Sequence, residues 1–408
     1  MINRVFYGWW ITLACSLIGL YVAGSIFFGF TAFFEPIAAE FAWSYTQISF
    51  AVSLRGLEMG IFAPLVGFLA DYFGPRKVLF GGIITTGAGL ILLAQTQSLA
   101  MFYGAFLLLA FGAGGCTSVV TMTAVANWFR KKAGLALGVV GSGIGAGGLM
   151  VLLIVRLIDL YQWRTTLMIL GLGMWAVGIP LSLVIRNRPE QYGYLPDGER
   201  PSASSQSQEI QDNGVEIGLK QALKMRTFLY LNLVEVVRMM TLIAVITHIM
   251  PYLSSVGMPR ATAGMVAAAI PLIGIIGRFG FGWIGDIYDK RYVMGMTMVF
   301  IILGILALSF VHVRWIIIPF LIVFPLGHAG SMVVRAALVR EYFGRNSFGK
   351  MLGIIMGSAS IGGIIGPTLA GWSFDTLGSY RPIWHVFLGL LVIGTLLSLK
   401  LKPAAIKK

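Results

Sequence analysis

Arg278 is the residue whose type and surroundings most directly imply chemistry. It interrupts an apolar run that extends from Pro271 to Trp283. An arginine at the centre of a membrane helix is disfavoured by about 2.5–3.5 kcal/mol on insertion scales, so it is usually retained for function. Its planar guanidinium can hold a carboxylate through two parallel hydrogen bonds. We therefore predict that Arg278 binds an organic anion, with a structural ion pair as the alternative.

Two residues in the apolar run 227–253 can take up protons. His248 carries an imidazole that titrates near neutral pH, so it could carry a proton, contact a substrate or hydrogen-bond within its helix. Glu235 precedes Arg238 by three residues, which places both on one helix face. This spacing predicts an ion pair and leaves Glu235 as a candidate proton carrier.

Further charged residues also fall within apolar runs. Arg55 and Glu58 have the same three-residue spacing, which fits a structural or a functional pair, and Glu58 is the third candidate proton carrier. His328 and Arg335 lie in the run 315–338, where the arginine can extend its side chain toward the cytoplasm. We give these last two residues no place in the predicted site.

The composition requires that these residues be positioned by membrane helices. Apolar residues make up 57% of the 408 residues and charged residues 11%, against about 25% charged in a typical globular protein. A membrane span needs about 20 apolar residues, and its backbone must satisfy its own hydrogen bonds, so each long apolar run is predicted to be a helix. The predicted spans are 8–34, 46–70, 77–97, 99–126, 134–158, 165–185, 227–253, 261–284, 292–312, 315–338, 350–374 and 382–400.

One connection, between the sixth and seventh spans, is long and polar. It contains the stretch 201–208, which is rich in serine and glutamine and cannot bury a core. We therefore predict an N-terminal six-helix bundle over 1–186, a cytoplasmic linker over 187–226 and a C-terminal six-helix bundle over 227–408.

The basic residues predict the orientation of the chain in the membrane. With the N-terminus inside, most Lys and Arg fall in cytoplasmic loops, as the positive-inside rule requires, so both termini are expected to be cytoplasmic. The formal net charge of +14 has this origin, and no contiguous basic face indicates nucleic acid. The opposite side holds one arginine per loop: Arg164, Arg260, Arg314 and Arg381.

Two loops repeat one another, after the second and the eighth spans. The segments 67–77 and 282–291 each contain a glycine, an aspartate four residues later and then two adjacent bases. An aspartate at a helix end can pair with a base or cap a neighbouring helix in one conformation and release it in another. We predict that these loops are conformational latches. Their residues are Asp71, Arg76, Asp286 and Arg291.

A second repeat contains the glycine-rich helices 5 and 11. The segment 127–138 leads into 141–148, and the segment 341–353 leads into 357–363. Glycines at these positions allow two membrane helices to approach closely. Matched motifs in two halves are the architecture of a transporter with its site between the repeats.

These motifs resemble the major facilitator superfamily over nearly the whole chain. The loop 67–77 looks like its best-known signature, and 7–10 is similar to the Gly-Trp element that begins helix 1 in monocarboxylate transporters. The segment 127–138 resembles the second motif of that family, and 186–198 looks like the linker start of bacterial members and oxalate/formate exchangers. The resemblance implies an all-α membrane protein with twelve transmembrane helices in two pseudo-symmetric six-helix bundles.

The resemblance also implies a function. It is secondary active transport of a small monocarboxylate, such as lactate or pyruvate, by proton symport with alternating access. Arg278 matches the helix 8 arginine of animal relatives, but Gly274 stands where their acid would be and Phe28 where their helix 1 lysine would be. Exchange of oxalate, formate or a dicarboxylate is the alternative, as is a transporter-fold sensor without flux.

The lining of the cavity follows from the resembled fold, in which helices 1, 4, 7 and 10 face it. The expected substrate-binding residues are Arg278, His248, Phe28, Thr117, Thr121, Ser331 and, from helix 11, Ser360. The sequence has no HExxH motif, paired-cysteine metal site or P-loop, so we expect no enzyme, cofactor or metal. The expected partners are a small organic anion, protons and the lipid of a bacterial inner membrane, with the chain as a monomer.

Overall fold

The computed structural model describes residues 6–54, 56, 62–116, 118–129, 132–193, 195, 197, 219–343 and 348–401. Throughout these ranges the secondary structure is helical and contains no β-strand. The first nine helices are α1 (Tyr7–Val22), α2 (Phe34–Phe41), α3 (Tyr45–Leu54), α4 (Ala63–Phe73), α5 (Pro75–Ala94), α6 (Leu99–Gly114), α7 (Ser118–Ala126), α8 (Ala133–Ala146) and α9 (Leu149–Val184). The remaining helices are α10 (Leu219–Ala222), α11 (Arg226–Ser255), α12 (Arg260–Ile287), α13 (Lys290–Ser309), α14 (Ile317–Phe343), α15 (Phe348–Leu377) and α16 (Arg381–Leu399).

The helices have the lengths that membrane spans require. Within the described ranges, nine helical stretches are long and apolar enough to cross a bilayer. One of them, Leu135–Val184, covers two predicted spans, and its backbone leaves the helical conformation at Gln162, where φ is 65°. Where the structure describes them, the twelve predicted spans fall on helical residues, so the prediction of an all-helical, multi-pass membrane protein is confirmed.

The chain forms two compact units. The first comprises Met1–Phe30 and Leu57–Gln211, and the second comprises Thr31–Gly56 and Asp212–Lys408. The second unit therefore includes a short segment that precedes the predicted linker by more than a hundred residues. The division of the chain at that linker stays a prediction, and its stretch 201–208 lies outside the described residues.

In the first unit, α1 packs closely on α8 through glycines. A Cβ atom on Gly143 of α8 would overlap Ser16 of α1, and one on Gly147, just after α8, would lie 2.8 Å from the backbone nitrogen of Gly24, just after α1. Only glycine permits this approach without displacing a helix. The close packing predicted for the glycine-rich helix 5 is confirmed.

Four sequence motifs meet at one place in the first unit. The Tyr7 hydroxyl donates to the Val184 carbonyl over 2.9 Å, and the Arg186 guanidinium lies 4.1 Å from the centre of the Tyr7 ring. Trp128 Nε1 donates to the Arg186 carbonyl over 3.0 Å. The start of the linker is thereby fastened to the first helix and to the motif that precedes α8.

Asn187 extends this junction to the loop after α4. Its Oδ1 accepts from the backbone N–H of Arg76 over 3.0 Å, and its carbonyl accepts from Asn127 Nδ2 over 3.0 Å. Gly74, in the same loop, has a φ of 84°, and a Cβ atom there would collide with the Asn187 amide. The glycine of this loop is required both by its left-handed backbone and by the neighbouring asparagine.

In the second unit, glycines bring α15 against α11. A Cβ atom on Gly362 or on Gly366 would overlap a backbone carbonyl of α11, that of Val236 or of Met240. The counterpart contact, between α12 and α14, has Gly277 so close that a Cβ atom would lie 2.6 Å from the Leu326 carbonyl oxygen. These contacts fix the helices that hold the charged residues described next.

Candidate functional site

Full charges are buried where α11 and α14 meet. Glu235 is 0% exposed, Arg238 1% and Arg335 5%. Of all the Asp, Glu, Lys and Arg side chains that the structure describes, only these three are buried. Charged groups at membrane depth are costly, and they pair with one another or mark a pathway for an ion or substrate.

The Glu235 carboxylate holds two guanidinium groups at once. Nε of Arg238 lies 3.1 Å from both carboxylate oxygens, and its Nη2 lies 2.6 Å from Oε2. Nη1 of Arg335 lies 2.6 Å from the same Oε2. The predicted pair of Glu235 and Arg238 is confirmed, and Arg335 turns inward to join it rather than reaching the cytoplasm.

His328 on α14 also contacts these charged residues. Its Nδ1 lies 2.9 Å from Nη1 of Arg238, and because a guanidinium only donates, Nδ1 must be the acceptor. The ring proton of the neutral imidazole is therefore on Nε2. The charges of Arg238, Arg335 and Arg278 all act on this ring, so Arg278 lies within electrostatic range of the cluster.

The cluster has more positive than negative charge. Two guanidiniums face one carboxylate, and a neutral His328 adds no charge. We call Glu235, Arg238, Arg335 and His328 the charged cluster. Its surplus positive charge at membrane depth would be compensated by an anion.

Unsatisfied polar atoms accompany the charged cluster. Nε of Arg335 is buried and has no hydrogen-bond partner among the described residues, and the same holds for Oδ1 of Asn232. Asn232 lies three residues before Glu235 and therefore on the same face of α11. A buried donor without an acceptor is costly, so Arg335 retains capacity for another acceptor.

Gly274, which stands where an acid was expected, lies one turn before Arg278 and close to α14. A Cβ atom there would come within 3.2 Å of the Ala329 Cβ atom, so a larger residue requires α14 to shift by a few tenths of an ångström. The carboxylate that the structure describes among these buried arginines is that of Glu235, on α11. Arg278 itself is half-buried, like His328.

His248 lies in a separate environment, where its hydrogen-bond partners are uncharged. It is 0% exposed; its Nε2 lies 3.0 Å from the Pro367 carbonyl oxygen and 2.9 Å from Ser49 Oγ, while its Nδ1 lies 3.0 Å from the Tyr380 hydroxyl. Burial, with the nearby Asp375 and Glu35 carboxylates, raises the pKa of Tyr380 well above its usual value. A protonated Tyr380 donates to Nδ1 while Nε2–H donates to the carbonyl, a pattern that suits a neutral ring. We call His248, Ser49, Pro367 and Tyr380 the histidine joint.

Two predicted serines make bonds within their own helices. The Ser331 hydroxyl donates to the His328 carbonyl over 2.6 Å, and the Ser360 hydroxyl donates to the Gly357 carbonyl over 2.6 Å. Such bonds are common for an isolated serine in a membrane helix. Their oxygens retain acceptor capacity, so a contact with substrate stays a prediction.

The other predicted lining residues belong to the first unit. Thr121 is buried, and Phe28 is half-buried at the end of a π-helical turn, Ala23–Phe28. Single π-turns occur frequently at functional sites. Thr117 lies outside the described residues, as do Arg55 and Glu58, so their roles stay predictions.

The predicted latch residues lie at the ends of α4 and α12 and at the starts of α5 and α13. In the second unit, the ion pair that the structure gives Arg291 is with Asp289, over 3.5 Å, while Asp286 is exposed. In the first unit, Arg76 is held through its backbone, and the side chain of Asp71 is not described. The latch function of these four residues stays a prediction.

The sequence predicted only part of the charged cluster. Glu235 and its pairing with Arg238 were predicted, as was Arg278 outside the cluster, but Arg335 and His328 were assigned no role. A signal was present, because His328 and Arg335 are seven residues apart, which is two helical turns and therefore one face of α14. That this face meets Glu235 is a tertiary fact.

Comparison with known proteins places the chain in a family. The model of the Major Facilitator Superfamily matches residues 9–279 and 236–408. Monocarboxylate transporter 12 of Mus musculus is 24% identical over 396 residues, which cover 92% of this chain and 81% of that protein. The uncharacterized MFS-type transporter YcxA of Bacillus subtilis (strain 168) is 25% identical over 376 residues, which cover 89% and 88%.

Solved structures share the fold. A bacterial homologue of the human lysosomal transporter Spinster, inward-facing and occupied, superposes with a TM-score of 0.76 at 15% identity and covers 96% of each chain. The nucleoside transporter NupG gives a TM-score of 0.74 at 14% identity, covering 97% of this chain and all of that one. These relatives are transporters rather than enzymes. Because the family model matches far more than half of its residues, this chain belongs to the major facilitator superfamily.

Proposed function

We propose that this transporter carries a small monocarboxylate of the lactate or pyruvate class by proton symport with alternating access. The observation that carries the proposal is the surplus of positive charge around Glu235, where Arg238 and Arg335 face one carboxylate. An organic anion compensates this surplus, and guanidinium groups are suited to carboxylates.

The relatives support the same class of substrate. The mouse protein that aligns over 92% of this chain is named a monocarboxylate transporter. In the proposed cycle, the anion binds Arg278 and a proton binds a titratable group, so that substrate and proton enter as a neutral pair. A neutral load lets the two halves change their access without moving net charge.

Exchange is a second candidate, because the structure supplies more than one guanidinium. An exchanger of oxalate or another dicarboxylate needs two cationic groups, and Arg335 with its unsatisfied Nε is a possible partner of Arg278. The charge of Glu235 argues against it, since this carboxylate already neutralises one of the two buried arginines. Monocarboxylate symport therefore remains the primary proposal.

Uptake into proteoliposomes separates these functions. Labelled lactate, pyruvate and oxalate are offered with and without an imposed inward proton gradient. Symport predicts that the gradient drives accumulation of lactate or pyruvate above the external concentration. Monocarboxylate uptake that is indifferent to the gradient contradicts symport. Uptake that depends on preloaded anion indicates exchange, and binding without counterflow indicates a sensor.

We further propose that the chain is a monomer of the bacterial inner membrane with both termini in the cytoplasm. The excess of Lys and Arg in alternate loops supports this orientation. Fusions of a periplasm-active phosphatase to the C-terminus and to the loop at Arg314 test it. Activity is expected only for the loop fusion, and the reverse result contradicts the orientation.

A further inference from the structure

We infer that Glu235 is the proton-binding group of this transporter and that the substrate carboxylate takes over the guanidinium groups which Glu235 releases when it is protonated. The inference rests on the proposed function, since it assigns the coupling between a proton and an anion. It identifies Arg335 and Arg238 as substrate contacts in addition to Arg278. The coupling arises because two carboxylates compete for the same arginines.

The first step of the argument is the dependence of the charged cluster on the Glu235 charge. Four contacts of 2.6–3.1 Å join this carboxylate to two guanidiniums. Oε2 accepts from both arginines, so a proton on this oxygen replaces at least one of these bonds. A neutral carboxyl group also attracts a guanidinium far less than a carboxylate does. Protonation therefore releases Arg335, which is held by a single contact, before Arg238.

The second step is that a released Arg335 is suited to bind a carboxylate. Its Nε is already buried without an acceptor, and Nε lies on the guanidinium edge that binds carboxylates through two parallel bonds. Arg335 is 5% exposed, so this donor cannot be satisfied by bulk water. A substrate carboxylate that displaces the protonated Glu235 satisfies both the charge and the unpaired donor.

The third step connects the charged cluster to Arg278. His328 accepts from Arg238 and is half-buried, and Arg278 is half-buried as well, whereas Glu235 and Arg238 are fully buried. Arg278 and His328 are thus more accessible than the inner layer, which consists of Glu235, Arg238 and Arg335. The negative charge of an anion bound near Glu235 favours protonation of that carboxylate. By reciprocity, a proton on Glu235 must strengthen anion binding by the same factor.

The net charge explains why proton and anion move together. With Glu235 ionised, the inner layer of Glu235, Arg238 and Arg335 carries one net positive charge. With Glu235 protonated and a monocarboxylate bound, it carries the same charge. A proton alone would leave two uncompensated guanidiniums at membrane depth, which is strongly disfavoured. The net charge of the inner layer is therefore the same in the loaded and the empty transporter. It is higher by one when a proton binds alone.

The test compares Glu235→Gln with the wild type in proteoliposomes. Glutamine mimics the protonated carboxyl but cannot release a proton, so accumulation of labelled lactate driven by a proton gradient should fall at least tenfold, while binding of lactate to the folded variant should remain measurable. The matched control is Glu341→Gln, because Glu341 also pairs with a base, Lys290 at 2.6 Å, but is half-exposed near the end of α14. Its accumulation should keep the dependence on the gradient.

Proton counting gives a readout that does not need transport. In lightly buffered detergent solution, wild-type protein should take up about one proton per lactate bound, and Glu235→Gln should take up none. Proton uptake that persists in Glu235→Gln overturns the inference, as does a folded variant that no longer binds lactate. If Glu235→Gln does not fold, Glu235→Asp must shift the pH midpoint of proton uptake, and an unchanged midpoint overturns the inference. Failure of the wild type to respond to the gradient contradicts the proposed function instead.

Discussion

The charged cluster and the histidine joint are both built on α11, about 20 Å apart along the helix at 1.5 Å per residue. Each centres on a titratable residue with no exposed surface, Glu235 in one and His248 in the other. They differ in net charge and in whether their polar atoms all have hydrogen-bond partners. The charged cluster has surplus positive charge and an unsatisfied donor, whereas both nitrogens of His248 are hydrogen-bonded and its partners are neutral.

The difference separates two uses of a buried polar residue. A neutral, fully satisfied group joins helices; here the ring of His248 ties Ser49 of α3 to α11 and to Pro367 of α15. A charged group with surplus charge and open capacity is poised for a ligand or a proton. Burial of a titratable residue does not by itself distinguish these roles, but the balance of charge and hydrogen bonds around it does.

The largest expected effect is on stability, and it follows from removing both the charge and the hydrogen-bonding atoms of Glu235. Glu235→Ala leaves Arg238 and Arg335 buried without a counter-ion, which should destabilise the protein by about 3–5 kcal/mol. The melting temperature of the purified protein should fall steeply and recover partly when lactate is added. A melting temperature close to that of the wild type would show that the two arginines are not held by Glu235.

The next largest effect is expected at Arg278. Arg278→Lys keeps the charge but loses the planar donor pair, so uptake of lactate should fall at least tenfold, which corresponds to about 1.4 kcal/mol. Arg314→Lys is the matched control, because Arg314 is exposed in a loop, and its uptake should be unchanged. Near-normal uptake by Arg278→Lys would contradict the assignment of Arg278 to the substrate.

The sequence was sufficient for the helices but not for the whole site. Apolar runs and spacing within one helix are local, so the spans and the ion pair of Glu235 with Arg238 were predictable. The bond from Arg335 to Glu235 joins residues 100 positions apart, and no local pattern encodes it. The close approach of α12 to α14 at Gly274 is likewise a tertiary feature that no local pattern encodes.

A smaller effect is expected in the histidine joint, and it should be structural rather than proton-coupled. Tyr380→Phe leaves Nδ1 of His248 buried without its donor, which should destabilise the protein by about 1–3 kcal/mol. The dependence of uptake on the proton gradient should be retained. If Tyr380→Phe or His248→Gln abolishes that dependence in a folded protein, His248 carries protons and the contrast with the charged cluster fails.

The smallest effect is expected at Ser331, which lies beside the charged cluster without belonging to it. Its hydroxyl donates to the His328 carbonyl over 2.6 Å, and this carbonyl can use other donors of its helix. Ser331→Ala should therefore change the apparent affinity for lactate by less than twofold and leave the gradient dependence intact. Ser331 was predicted to bind substrate, and the Michaelis constant decides the matter. A rise of tenfold would mean that its oxygen accepts from the substrate or from Arg278, and the charged cluster would then extend along α14 beyond the arginines.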